Sequence, residues 1–178
     1  MLVSLFRYLR TAGDNFHEVL SGRIYRSATP EPKNLAKWRS KYGIRTWIDL
    51  REPDDWDGNS RVPTDKTRLL TAQVEACKRL GIERVRLGIS DKEPTSDEDI
   101  AKALAIMANP TRQPVLVACA GGRHRTGLMV AMYRVRELGW DPKKALDEAE
   151  DKGFYDGFGH QAFGRRFREV LGLPVDSK

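Results

Sequence analysis

Residues 115–127 read VLVACAGGRHRTG, and this stretch decides the fold. An unbroken apolar run stops at Cys119, passes through Gly121, Gly122 and three basic residues, and resumes as a helical pattern from Thr126. A continuously apolar segment is what a central strand covered on both faces requires. Open α/β sheets place their ligand sites at the carboxyl ends of such strands. A short loop from strand to helix can wrap its backbone N–H groups into a cup, and the helix dipole adds about half a positive charge there. Gly121 and Gly122 permit the backbone conformations such a cup needs. The expectation is an anion cradle, lined by Ala120, Gly121, Gly122, Arg123, His124 and Arg125, with a sulfur at its base.

The field that holds an anion also favours thiolate over thiol; cysteines in such places fall to a pKa of about 3.5–7.5. Arg125 offers a planar fork for two phosphoryl oxygens. Thr126 is placed to hydrogen-bond the departing thiolate, to cap the helix, or both. Together these parts fit attack of a thiolate on phosphorus through a cysteinyl-phosphate.

Working outward, strands alternate with helices. Gly22–Ser27, Ile44–Leu50, the segment IERVRLG (residues 82–88) and QPVLVA (113–118) read as strands. The residues between Thr29 and Gly43 read as a helix, with Thr29 as N-cap, Pro30 in the first turn and Gly43 as the stop. Leu69–Leu80, Thr126–Leu138, a helix capped by Asp141-Pro142, and His160–Leu171 complete the helical set. Ser96 with Asp99 is a capping-box-like start, followed by an apolar stripe of Ile100, Ala103, Leu104 and Met107. Arg51–Asp65 reads as a loop by its Pro, Gly and Asp density. The pattern predicts a three-layer α/β/α sandwich around a mostly parallel sheet of four to five strands. The expected organisation is an N-terminal arm or helix over 1–14, one domain over 15–172 and a tail over 173–178.

The 178-residue chain is 40% hydrophobic and 31% charged, which fits a single soluble domain. Its net charge of +6 favours an anionic partner. The cations are scattered apart from GRHR and GRRFR, so nucleic acid is not expected. No apolar run approaches the roughly 20 residues of a membrane span, and Arg7 and Arg10 interrupt the opening too early for a signal-peptide core. Two cysteines and three separated histidines predict neither a zinc site nor a disulfide framework, which fits a reducing, cytoplasmic setting. Cys77 is expected in the core beside Val74 and Leu80, with a redox partnership to Cys119 the lesser reading.

The series Cys119, Gly122, Arg125, Thr126, Gly127 resembles the signature of cysteine-dependent tyrosine and dual-specificity phosphatases. NFHEVLSGRIYRSATP, YGIRTWIDLRE, LGISDKEP and GRHRTG occur in the order seen in plant-and-fungal-type atypical dual-specificity phosphatases and their bacterial relatives. The resemblance covers about residues 15–150. It implies a phosphatase with no metal or organic cofactor, acting on inositol polyphosphates or pyrophosphates, with phosphoproteins and phosphoinositides as alternatives. It also implies a general acid about 30 residues before the nucleophile, where Asp91 stands with Glu93 next to it. Asp97 and Asp99 are better explained by the helix start. Lys92 is placed to meet a second phosphate, and Arg51 to contact substrate or to form a salt bridge. Arg26 is expected to be structural.

The family has a histidine immediately before the nucleophile, and this chain has Ala118. That departure keeps a non-catalytic phosphate reader as the alternative. A rhodanese-like sulfurtransferase is the third reading, opposed by the Arg-Thr-Gly ending and by YRSATP and SDKEP. Oligomeric state is not legible.

Overall fold

The computed structural model describes residues 13–52, 66–157 and 160–175. Most of the expected N-terminal arm, most of the loop after Arg51 and the last tail residues lie outside the described residues. In chain order the elements are β1 (His17–Leu20), β2 (Ile24–Ala28), α1 (Pro32–Tyr42), β3 (Thr46–Asp49), α2 (Lys66–Leu80), β4 (Glu83–Arg86), α3 (Asp97–Ala108), β5 (Val115–Cys119), α4 (His124–Arg136), α5 (Pro142–Asp151) and α6 (Gln161–Leu171).

The strands form one sheet in the order β1-β2-β5-β3-β4. Four of them run parallel, and β1 pairs antiparallel with β2. The expected sandwich is therefore present, with β5 at its centre. Alternation along β5 divides two cores. Val115, Val117 and Cys119 face Ile100 and Met107 of α3, Leu128 of α4, Leu146 of α5 and Phe163 of α6. Leu116 and Ala118 face Trp38 of α1, Trp47 of β3 and Cys77 of α2. This is the period-two pattern of a strand buried on both sides. Cys77 and Cys119 thus sit in cores on opposite faces of the sheet, and both thiols are free. Burial pushes the Cys77 thiol up to about 11, so it packs as a small apolar group.

Several helix starts match the expected chemistry. The Ser96 hydroxyl accepts from the Asp99 amide at 3.1 Å, and all four apolar stripe residues of α3 are buried. Asp141 caps α5 by accepting from the Lys144 amide at 3.0 Å. Gly43 ends α1 in the left-handed region at φ +70°. The start of α1 differs from expectation: its N-cap is Glu31, and Pro32 occupies the first turn. Thr29 and Glu31 each precede a proline, which disfavours helical backbone at both. Helix therefore begins only at the second proline, where the missing N–H is no loss. Helices α2 and α4 begin a few residues earlier than their apolar periodicity indicated.

Strand β1 was not legible. It is four residues long and mostly half-exposed, too short for an alternation signal. Gly22, at φ +66°, helps turn it into β2.

Candidate active site

Strand β5 ends at Cys119 and α4 begins at His124, so residues 120–123 form the loop. Its carbonyls are held from outside. The Ala120 carbonyl accepts from the Thr29 amide at 3.1 Å. Asn15 Nδ2 donates to Gly121 O at 3.3 Å and to Gly122 O at 3.0 Å. Arg26 Nη2 donates to Gly122 O at 2.7 Å. In a trans peptide the following N–H points opposite to the carbonyl. Turning these carbonyls outward therefore turns the amides of Gly121, Gly122 and Arg123 inward. The N-cap position of α4 carries no side-chain cap, which leaves the positive end of its dipole to the cradle.

Gly122 is required here. It sits at φ +65°, and a Cβ on it would meet the Ser27 carbonyl carbon at 2.5 Å and the Ala28 nitrogen at 2.6 Å. The loop lies directly on the end of β2.

Cys119 is 3% exposed. Burial alone would raise its thiol pKa. The Arg125 guanidinium, the Thr126 hydroxyl and amide, and the Arg123 amide outweigh burial and bring the pKa below the ordinary thiol value. The buried Thr126 hydroxyl makes no bond to another side chain or carbonyl; its influence is on the sulfur. Arg125, also 3% exposed, donates from Nη1 to the Ile89 carbonyl at 2.8 Å. This bond ties the cradle to the turn that carries Asp91 and Lys92.

In that turn the Ser90 hydroxyl accepts from the amides of Lys92 (3.2 Å) and Glu93 (3.3 Å). Asp91 is half-buried and Lys92 and Glu93 are exposed. Asp91 lies close enough to His160 to favour that ring's protonated form, although burial moves His160 the other way. Asp97 pairs with Arg166 at 2.7 Å, and Asp99 serves the cap of α3, as their positions at a helix start indicated.

Two expected substrate contacts are placed elsewhere. His124 Nε2 lies 3.0 Å from the Tyr155 carbonyl, and the ring stacks on His160 with centroids 4.0 Å apart. Its ring thus joins the cluster of Phe154, Tyr155 and Phe163 instead of lining the cradle. Arg51 is 5% exposed and grips Asp49, with Nε 2.8 Å from Oδ1 and Nη2 3.0 Å from Oδ2, and a further bond to Gln73 at 3.0 Å. Arg84 shares the same carboxylate. Asp49 is fully buried at the end of β3 and needs those cations, so Arg51 is occupied by structure.

Sequence reasoning passed over Asn15 and His17. His17 Nε2 lies 3.0 Å from Asn15 Oδ1. Burial and the nearby Lys152 and Arg26 lower its pKa to about 4, so the ring is neutral and can donate to that oxygen. Asn15 stands at φ +44°, a region asparagine tolerates; that local preference was the available signal.

A buried sulfur at the floor of a strand–loop–helix turn, with inward amides and an arginine six positions on, defines a cysteine-dependent phosphatase domain. A family model described as "DSP-PTPase phosphatase fused to NAD+ Kinase" matches residues 6–161, and the chain belongs to this family of dual-specificity-type phosphatases. It is 31% identical over 140 residues, 77% of its length, to the dual specificity protein phosphatase TpbA of Pseudomonas aeruginosa. It is 30% identical over 139 residues, 76% of its length, to the inositol diphosphatase SIW14 of Saccharomyces cerevisiae. The matched regions make up 54% and 44% of those two relatives, so the chain spans about half of each. The crystal structure of P. aeruginosa TpbA superposes with a TM-score of 0.66 at 25% identity, covering 91% of this chain and 86% of that one.

Proposed function

We propose that the chain hydrolyses phosphate esters or anhydrides through a cysteinyl-phosphate, with Cys119 as nucleophile. The observation that carries this reading is the buried Cys119, whose charged form is favoured by Arg125 and by the Thr126 and Arg123 amides. In the first step the sulfur lone pair forms an S–P bond while the bond from phosphorus to the leaving oxygen breaks. Arg125 and the loop amides take the non-bridging oxygens, whose charge they stabilise as the transition state forms. The leaving oxygen takes a proton from a carboxylic acid. Asp91, on the turn tied to Arg125, is assigned that role. In the second step water gives its proton to the Asp91 carboxylate and attacks phosphorus, the S–P bond breaks, and inorganic phosphate and thiolate return.

The substrate class proposed is a compact, multiply phosphorylated molecule such as an inositol pyrophosphate. Lys92 is exposed on the turn beside the cradle and Arg123 stands at the head of α4, and a second phosphate is proposed to lie on this side of the cradle. The similarity to an inositol diphosphatase supports this, and the similarity to TpbA supports a phosphoprotein as the alternative. Among the described residues no helix is long and apolar enough to cross a membrane.

The test is phosphate release from inositol pyrophosphates, phosphoinositides and phosphotyrosyl peptides, with Cys119→Ser as control. The parent is expected to turn over and the variant to bind without turnover. Equal release by both rejects the covalent route, and release from no substrate favours a phosphate reader.

A further inference from the structure

Beneath the cradle, on the side away from Arg125's contact with Ile89, lies a second guanidinium. Strand β2 places Arg26 opposite Val117 and Ala28 opposite Cys119 in register. Arg26 therefore points to the same sheet face as the nucleophile, one diagonal step away. It is 2% exposed. Its single bond among the described residues goes to Gly122 O, while Nε and Nη1 have none. A buried cation with two orphan donors is costly unless an anion compensates it. The carboxylate that acts on it, Glu148 of α5, is held by Arg134 of α4 in a two-point pair at 3.0 and 2.8 Å. A carbonyl tether alone needs only a neutral donor, which Asn15 already supplies to the same oxygen. Among the described residues the other negative group that acts on Arg26 is the Cys119 thiolate.

Resting on the reading that Cys119 acts as a thiolate, we propose that Arg26 is a positioning residue whose charge, added to that of Arg125, stabilises this thiolate from below the loop. Ala118, the residue before the nucleophile, faces the opposite core and brings no charge to the sulfur. Burial lowers the Arg26 pKa to about 10, and Glu148 and the Cys119 thiolate both act to raise it. Arg26 thus remains charged through the neutral range. The other charged or titratable groups facing the pair are Arg125, Arg123 and Arg134 from α4, Glu148 from α5, Lys152 after it, and His17 from β1. His17, held near 4, does not titrate where the thiol does.

The test measures the pH dependence of Cys119 alkylation by iodoacetamide, with the modified thiol assigned by peptide mass spectrometry, in the parent, Arg26→Gln and Arg26→Lys. Glutamine keeps an N–H donor without charge, and lysine keeps the charge without the fork. The expected midpoint rises by about 1.5 pH units in Arg26→Gln, as for charges roughly 8 Å apart at an effective dielectric near 20. It stays within about 0.3 unit of the parent in Arg26→Lys. An unmoved midpoint in folded Arg26→Gln, or an equal rise in both variants, reduces Arg26 to a tether and overturns the proposal. A parent midpoint at the ordinary thiol value does the same. Should Arg26→Gln not fold, the parent and Arg26→Lys carry the test: a parent midpoint below the ordinary thiol value that Arg26→Lys keeps is the expected result, and a rise in Arg26→Lys overturns the proposal. Alkylation needs no substrate, so absence of phosphate release would count against the proposed activity and not against this role.

Discussion

Replacing Gly122 by alanine places a methyl group 2.5 Å from the Ser27 carbonyl carbon and 2.6 Å from Ala28 N and Ser27 O. Carbon atoms in good contact sit about 3.5–4.0 Å apart, so backbone must move by about 1 Å. Strand β2 cannot give way, being hydrogen-bonded to β1 on one side and β5 on the other. The loop moves instead, and Gly122 O leaves Arg26 and Asn15. Alanine in the left-handed region costs about 1 kcal/mol, and overpacking about 1–3 kcal/mol. The expected loss of stability is about 2–4 kcal/mol, or a Tm lower by roughly 4–16 °C for a domain of this size. Displacing the amides by about 1 Å is expected to lower turnover about 10²-fold. Thermal unfolding and phosphate release on one preparation measure both. Gly121→Ala is the Tm control: its Cβ would meet only the Arg123 side chain, at 3.8 Å, so its stability should change by no more than about 0.5 kcal/mol. Equal Tm and turnover in Gly122→Ala and the parent, or equal loss of Tm in both variants, would refute the reasoning.

Asp91→Asn should slow hydrolysis of poor leaving groups about 10²- to 10⁴-fold and activated aryl phosphates much less; an unchanged ratio between the two removes Asp91 as the acid and turns attention to Glu93. Arg51→Ala leaves Asp49 buried with one cation fewer, and urea unfolding should show a loss of about 3–5 kcal/mol; a change in KM without a change in stability would restore Arg51 to the substrate. Burial alone would raise the Asp49 pKa, but Arg51 and Arg84 hold it below the usual value of 3.8. Its contribution is thus present above about pH 4 and lost as pH falls through the depressed value. In Asp49→Asn, the acid limb of stability should flatten, and an acid limb identical to the parent's would show that the pair is not the cause. Burial, with His160 adding to it, lowers the His124 pKa from 6.5 to about 3. Between those values the unfolded chain takes a proton that the folded one does not, so stability falls as pH drops below about 6.5; His124→Gln should show a shallower fall between pH 7 and 5, and an unaltered slope would reject the assignment.

Much of the architecture could be read along the chain because its causes are local. The apolar run of β5, the Ser96 and Asp141 caps, the stop at Gly43 and the stripe of α3 each depend on residues a few positions apart. Thr29 shows where locality misleads: its type suits an N-cap, yet the prolines at 30 and 32 delay the helix and its amide serves Ala120. The pattern of Cys119, Gly122 and Arg125 was equally legible, since one turn of chain carries the sulfur, the cradle and the guanidinium.

What the chain determined by itself is thus the sandwich, its central strand and the residue pattern of the loop after that strand. Tertiary structure decided how the loop is held and which cations are committed elsewhere. Asn15 and Arg26 reach Gly122 across 107 and 96 positions of sequence, and the pairing of β1 with β2 and of β2 with β5 brings them there. Arg51 and His124 have the residue types of phosphate ligands, but Asp49 claims one and the Tyr155 carbonyl and His160 claim the other. A side chain's type states what it can bind. Which partner it meets is set by the burial of distant groups that must also be satisfied, and a folded chain cannot leave a buried carboxylate such as Asp49 unpaired to keep an arginine for substrate.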